Sequence, residues 1–236
     1  MKKQLLKLGI LGFAAMTILW GCGGDDNGGG GTPTQPSFEE IEIPQGLQDA
    51  ALSDPNAAMA LSYLQLANSF ALYGTYFQPP SKAYAPTKAG AVSDTTSWSY
   101  EGITIDYYNW EDSENYYWEI FVTNEIYTDC KFIEYVEAKD GRSGYYQLFS
   151  DCGAEPVFVW NWTLSALDVF TLTMTSDSES IEVVVNPDGS GVVTVYYGGI
   201  NSQPEYVIMW NANGSGSYTE YSEGGSITDS GTWDAA

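Results

Sequence analysis

The chain has 236 residues, of which 31 are acidic and 8 basic, giving a formal net charge of −23 with no histidine anywhere. The missing histidine removes Ser-His-Asp and Cys-His nucleophile systems and the usual catalytic zinc sites. The acidity opposes nucleic acid, whose binding depends on Lys and Arg at phosphates, so no nucleic-acid partner is expected.

The first twenty-two residues have three parts. Lys2, Lys3 and Lys7 make a positive start, residues 8–20 form an apolar run, and Leu19-Trp20-Gly21-Cys22 closes it. This is the layout of an export signal. The apolar run is shorter than the ~20 residues of a spanning helix, which weighs against a membrane anchor or a buried core helix. Leu19, Gly21 and Cys22 resemble the lipobox of bacterial lipoproteins, with Trp20 where that class has a small or β-branched residue. The resemblance implies cleavage of residues 1–21, a diacylglyceryl group on the Cys22 thiol and, usually, a fatty acyl chain such as palmitate on its new amino group. Two or more acyl chains make the attachment stable, at ~0.8 kcal/mol per buried CH₂. The membrane is thus an expected partner through lipid, at the cell envelope and most simply the outer membrane.

Residues 22–37 follow as the lipidated cysteine and a Gly-rich acidic tether, too polar to order itself. Acidic residues just after the cysteine also resemble the surface-export signals of Bacteroidetes lipoproteins, leaving the periplasmic face and the cell surface both open. Removing residues 1–21 leaves 215 residues with a net charge of −26. Such a domain is repelled by anionic headgroups, so lipid rather than a basic patch must hold it at a membrane.

Residues 38–96 are expected to hold one helix and a linker. Residues 41–53 read as mixed, and Asp54-Pro55 reads as an N-cap followed by proline at the first helical position. Met59, Tyr63, Leu66, Phe70, Tyr73 and Phe77 then form a 4-3-4-3-4 stripe, widened by Ala60, Leu64, Ala67 and Ala71. No charge occurs from Asn56 to Phe77. The helix should end near Gly74, before Pro79-Pro80, and cover a sheet or plug a barrel. A partner-binding role is the functional alternative. Residues 81–96 read as linker.

Residues 97–236 change to period two. Eleven strands are expected, over 98–109, 115–124, 130–138, 144–150, 156–164, 169–175, 180–185, 191–197, 205–211, 214–221 and 226–233. Short connections such as Asp140-Gly141 and Asn213-Gly214 require antiparallel neighbours. The fold class is therefore mainly β, an up-and-down meander forming a barrel or half-barrel with the helix on or in it. A two-sheet β-sandwich is the alternative. No fixed-length repeat emerges, although hairpins recur with Gly near the turns and Trp near the ends.

Cys130 and Cys152 flank Asp140-Gly141, and a hairpin centred on Gly141 places them opposite each other. That register would also put Phe132, Glu134, Val136, Tyr146 and Leu148 on their face. A two-residue turn would instead shift the pairing by one and separate them. In an exported protein a disulfide between them is expected. No catalytic residue, cofactor or metal is expected. The Asn186-Pro187-Asp188-Gly189-Ser190 stretch lacks the later bidentate Glu of a calcium loop and reads as a turn. Glu111, Asp112 and Glu114 read as a solvated loop.

Aromatic residues are the remaining candidate site, among 18 Tyr and 8 Trp. Trp98, Tyr100 and Tyr108 would share a face of the first strand, and Tyr116 with Trp118, and Trp160 with Trp162, would form further same-face pairs. They could stack on sugar rings, line an apolar cavity, or simply form the core. The expected function is a non-enzymatic, lipid-anchored envelope lipoprotein that binds a glycan, an apolar ligand or an envelope protein. A structural envelope component and a carboxylate-dependent glycoside hydrolase are the alternatives. Coplanar exposed rings would mark the glycan binder, and a hollow under the helix the apolar carrier.

Overall fold

A computed structural model describes residues 41–76, 93–100, 102–150, 152, 155–177 and 179–235. The expected signal region, Cys22 and the expected tether lie outside these residues, as do most of the expected linker and Phe77. Alternating sequence from Ser93 onward forms twelve strands: β1 (Ser93–Tyr100), β2 (Ile103–Glu111), β3 (Asn115–Thr123), β4 (Cys130–Ala138), β5 (Ser143–Leu148) and β6 (Phe158–Leu164), then β7 (Phe170–Ser176), β8 (Ser180–Val185), β9 (Gly191–Tyr196), β10 (Pro204–Trp210), β11 (Gly216–Tyr221) and β12 (Ile227–Trp233). Each pairs antiparallel with its sequence neighbours, in the order β1 to β12, and the sheet does not close. The chain is therefore the mainly β, half-barrel type of fold expected, in one sheet rather than two.

The span 98–109 is not one strand. Tyr100 pairs with Ile103, so the chain reverses within two residues, at a Gly102 with φ 82°. Twelve strands replace eleven, and Tyr108 goes to the opposite face from Trp98.

Two helices precede the sheet, α1 (Gln45–Ala50) and α2 (Pro55–Tyr76). Asp54 caps α2, its Oδ1 accepting from Asn56 N at 2.8 Å and Ala57 N at 3.2 Å. The helix lies against β10 and β11. Among its described side chains, which run to Ser69, the most buried are Ala57, Ala60, Tyr63, Leu64 and Ala67, while Met59 and Leu66 are only partly buried. The contact stripe is thus shifted toward the alanines, because small side chains let a helix approach a sheet closely. Asn68 pins the incoming chain: its Oδ1 accepts from Ile41 N at 2.8 Å and its Nδ2 donates to Ile41 O at 2.9 Å. α1 was hidden in the sequence because it is held by tertiary contact, with Leu47 and Ala50 buried and Gly46 against the backbone of Asn213 and Gly214.

The sheet face toward the helix is filled. Trp118, Tyr135, Tyr146, Trp160, Met174, Ile181, Val195 and Tyr206 are successive register partners from β3 to β10, and all are buried. Trp162, Leu172, Val183, Val193 and Ile208 form the neighbouring row. Burying each Leu, Val or Ile contributes about 1.5–3 kcal/mol.

At one end of the sheet, three indoles each cover a glycine on the paired strand: Trp162 over Gly144, Trp210 over Gly191 and Trp233 over Gly216. Trp210 Nε1 donates to Gly189 O and Trp233 Nε1 to Gly214 O, both at 2.8 Å. The turns feeding the last two are near-duplicates, Asn-Pro-Asp-Gly-Ser-Gly at 186–191 and Asn-Ala-Asn-Gly-Ser-Gly at 211–216. In both, the third residue's Oδ1 accepts from the serine N–H and hydroxyl, and the following glycine takes φ 83° or 88°. Only glycine adopts that conformation without strain.

Cys130 and Cys152 form a disulfide with Cα atoms 4.4 Å apart, within the usual range. The register argument for it was off by one. Ile133 pairs with Leu148 and Glu137 with Gly144, so the hairpin is not centred on Gly141. Tyr146 and Leu148 share their face with Ile133 and Tyr135, whereas Val136 and Glu134 face outward. Two features restore the contact. A bulge at Phe132, between the pairs Ile120↔Ile133 and Phe121↔Lys131, turns Cys130 inward. Cys152 lies beyond β5 with φ 45°, off the strand direction.

Candidate functional site

The sequence-predicted aromatics separate. Trp118, Trp160 and Trp162 are 5%, 2% and 5% exposed and belong to the core. Trp98 packs partly buried against that core. Tyr100 shares the face of Trp98 by register, and nothing is described of its side chain. Tyr108 lies on the outer face, edge-on to Phe121 with ring centroids 5.3 Å apart. Among the described side chains, the candidates form no exposed cluster. Tyr116 with Trp118, and Trp160 with Trp162, do share faces, but as packing. With this face filled, the geometry expected of an apolar carrier is missing beneath the described part of the helix.

The outer face of the sheet changes character along its width. From β6 to β12 it is mainly Thr and Val, including Thr163, Thr171, Thr173, Val184, Val192, Thr194, Val207 and Thr219. From β2 to β5 it carries Tyr108, Trp110, Tyr117, Phe121 and Tyr145. Aromatic surface gathered on one solvent-side patch is a feature of interaction sites.

Trp110 and Tyr117 are cross-strand partners with ring planes 2° apart and centroids at 5.1 Å. At that distance the rings are offset-stacked, each covering one face of the other and leaving the opposite face. Both residues are partly exposed. The turn after β2 fixes the pair. Asp112 Oδ1 accepts from Glu114 N and Asn115 N, both at 2.8 Å. Tyr117 OH donates to Asp112 Oδ2 at 2.8 Å and accepts from Asn115 Nδ2 at 3.2 Å. The Glu114 N–H, then the Asn115 N–H and the Tyr117 hydroxyl, hold the Asp112 carboxyl below its usual range. The same bond to Asp112 pushes the Tyr117 hydroxyl above its own. The acidic turn expected to be merely solvated therefore positions an aromatic ring.

Beside the pair, Glu119 and Glu134 stand directly opposite each other on β3 and β4. Lys131 bridges them, paired with Glu119 and with Glu134 Oε2 at 2.7 Å. Tyr145 OH donates to Glu134 Oε1 at 2.6 Å. Burial raises Glu134, but Lys131 and Tyr145 outweigh it and leave its carboxyl below the usual range. A glycosidase acid needs the opposite shift. These carboxylates form an ion-paired support rather than an acid–base pair. On the inner face, Glu137 is nearly fully buried and accepts from Tyr135 OH at 3.1 Å. Burial, then Glu137, raises the Tyr135 hydroxyl far above its usual range. Among the described residues no group of three metal-ligating side chains converges, and no helix is long and apolar enough to cross a membrane.

Trp110 and Tyr117 escaped the sequence reading because both faces of β2 and β3 carry aromatics, as in Tyr107-Tyr108 and Tyr116-Tyr117-Trp118. Alternation alone does not say which set faces out. No protein-family model matches the chain, and no curated protein does.

Proposed function

We propose that this chain is an exported lipoprotein, attached to the outer membrane through lipid on Cys22, whose β domain binds a glycan without transforming it. The Trp110–Tyr117 stack carries this reading: two parallel, partly exposed rings, of which Tyr117 is held by Asp112, with Asp112 and Asn115 beside them as hydrogen-bonding groups. A sugar's C–H face would cover the free face of an aromatic ring, while its hydroxyls would meet the polar groups at the edge. The net charge favours neutral over anionic glycans. The filled inner face favours a second reading, a structural envelope component that needs only a stable domain.

Affinity electrophoresis through gels holding single soluble polysaccharides separates the two. Retardation by at least one neutral polysaccharide is expected. Trp110→Ala should weaken it about tenfold, in line with truncation of an aromatic anchor worth ~1.4 kcal/mol. No retardation by any polysaccharide would leave the structural reading standing, and undiminished retardation of Trp110→Ala would overturn the Trp110–Tyr117 stack as the glycan site. Attachment is tested separately: palmitate labelling of the expressed chain should disappear in Cys22→Ala.

A further inference from the structure

A crevice of about 630 Å³ opens at the sheet end that carries the glycine-capping tryptophans. Its floor is apolar, built from Leu164, Phe170 and Val185, which are successive register partners, with Trp162 one row deeper. Its roof is the 41–44 segment, fixed by Asn68 through Ile41. The volume suits a small molecule.

Its rim is one-sided in charge. Glu42, Asp140, Asp168 and Asp188 line it, against Arg142, the single arginine of the chain. Arg142 is engaged with the β6–β7 turn: Nε donates to Leu164 O at 3.2 Å, and Nη2 donates to Ser165 O and, at 2.9 Å, to Asp168 Oδ1. Asp168 is thereby neutralised. Glu42, Asp140 and Asp188 have no ion-pair partner among the described residues. The Ser190 hydroxyl, then the Ser190 N–H, hold the Asp188 carboxyl below its usual range, so it is ionised at neutral pH.

We propose that this crevice binds a small organic cation with an aromatic or branched apolar body. The apolar part would cover Leu164, Phe170 and Val185. The rim carboxylates would neutralise the positive end. An anion of the same shape meets three uncompensated carboxylates and a chain of net charge −23.

The test uses the full chain in detergent, titrated with benzyltrimethylammonium and, in parallel, with benzenesulfonate and benzyl alcohol, followed by calorimetry. Saturable 1:1 binding of benzyltrimethylammonium is expected, with none of benzenesulfonate. Ala212→Trp places a large side chain at an exposed rim position and should weaken binding at least tenfold while thermal stability stays unchanged. Asp188→Asn should weaken it about twofold to fivefold, as expected for one exposed carboxylate. This variant keeps its turn, because Asn213 makes the same two hydrogen bonds in the sister hairpin. Trp110→Ala should leave cation binding intact, which separates this site from the glycan reading. No saturable binding of benzyltrimethylammonium, equal binding of the sulfonate, or a correctly folded Ala212→Trp that binds like wild type overturns the proposal.

Discussion

Gly191→Ala isolates the contact between an indole and the glycine beneath it. An alanine Cβ there would sit 2.7 Å from Trp210 Cη2, and nearer still to Cζ2 and to the Val184 carbonyl oxygen. Backbone lies on one side and a buried, hydrogen-bonded ring on the other, so no flexible side-chain tip can give way. Overpacking of this kind costs about 1–3 kcal/mol. Displacing the ring also breaks the Trp210–Gly189 hydrogen bond, at a cost of about 1–3 kcal/mol if the donor stays buried. With both effects partly relaxed, about 2–4 kcal/mol is expected, which at 2–4 °C per kcal/mol lowers Tm by roughly 4–16 °C. Gly199→Ala is the control, since its Cβ would meet nothing within 4 Å, and it should stay within about 0.5 kcal/mol of wild type. Thermal and urea unfolding followed by far-UV circular dichroism measures both. Adding Trp210→Phe, which removes Cζ2 and Cη2, should make the pair less costly than the two single changes added, by more than ~1 kcal/mol. Equal stability of the two glycine variants, or strict additivity with Trp210→Phe, would refute the reasoning.

Three further outcomes are expected. Intact-mass analysis after alkylation without reductant should find Cys130 and Cys152 unmodified, and Cys130→Ser/Cys152→Ser should lose about 3 kcal/mol in urea unfolding, the loop entropy for a separation of 22 residues. Asp54→Ala removes both cap bonds of α2 and should destabilise the fold by about 0.5–2 kcal/mol, whereas Asp54→Ser should recover most of it. Burial, then Glu205, raises the Glu179 carboxyl in the folded chain. A raised carboxyl favours folding when protonated and opposes it when ionised. Glu179→Gln should therefore stabilise the protein at pH 7, by up to about 1 kcal/mol. That gain should shrink to nothing as the pH falls below the carboxylate range, as chemical denaturation at several pH values would show.

The meander was legible because its strands alternate and its turns are short, and the α2 start because Asp54-Pro55 carries a cap. What stayed hidden depends on contacts between distant residues. α1 has no local signal and exists because Gly46 meets the 213–214 turn. The Phe132 bulge depends on how β4 meets β3. The disulfide was therefore predicted correctly from a register that the structure replaces. Three of the six candidate aromatics lie in the core for one reason. In an aromatic-rich sheet the largest rings are drawn inside, so Trp118, Trp160 and Trp162 became core, and the outward pair was set by Asp112, a residue read as solvated. The paired turns at 186–191 and 211–216 were readable as a repeat, had glycine position been weighed above segment length.

The order of strands has a consequence in time. Every strand pairs with the one made just before it, so the sheet can assemble hairpin by hairpin as the chain appears, through the short-range contacts that form fastest. The helix is the exception. α2 precedes every strand in the chain, yet it rests on β10 and β11, and Asn56 waits 150 residues for the Tyr206 hydroxyl it accepts from. That wait lasts until β10 and β11 have paired. Throughout it a 22-residue helix without a single charge has no docking surface. The last strands to arrive thus complete the core as well as the sheet, and truncation before β10 would leave a nearly finished sheet with α2 still unburied.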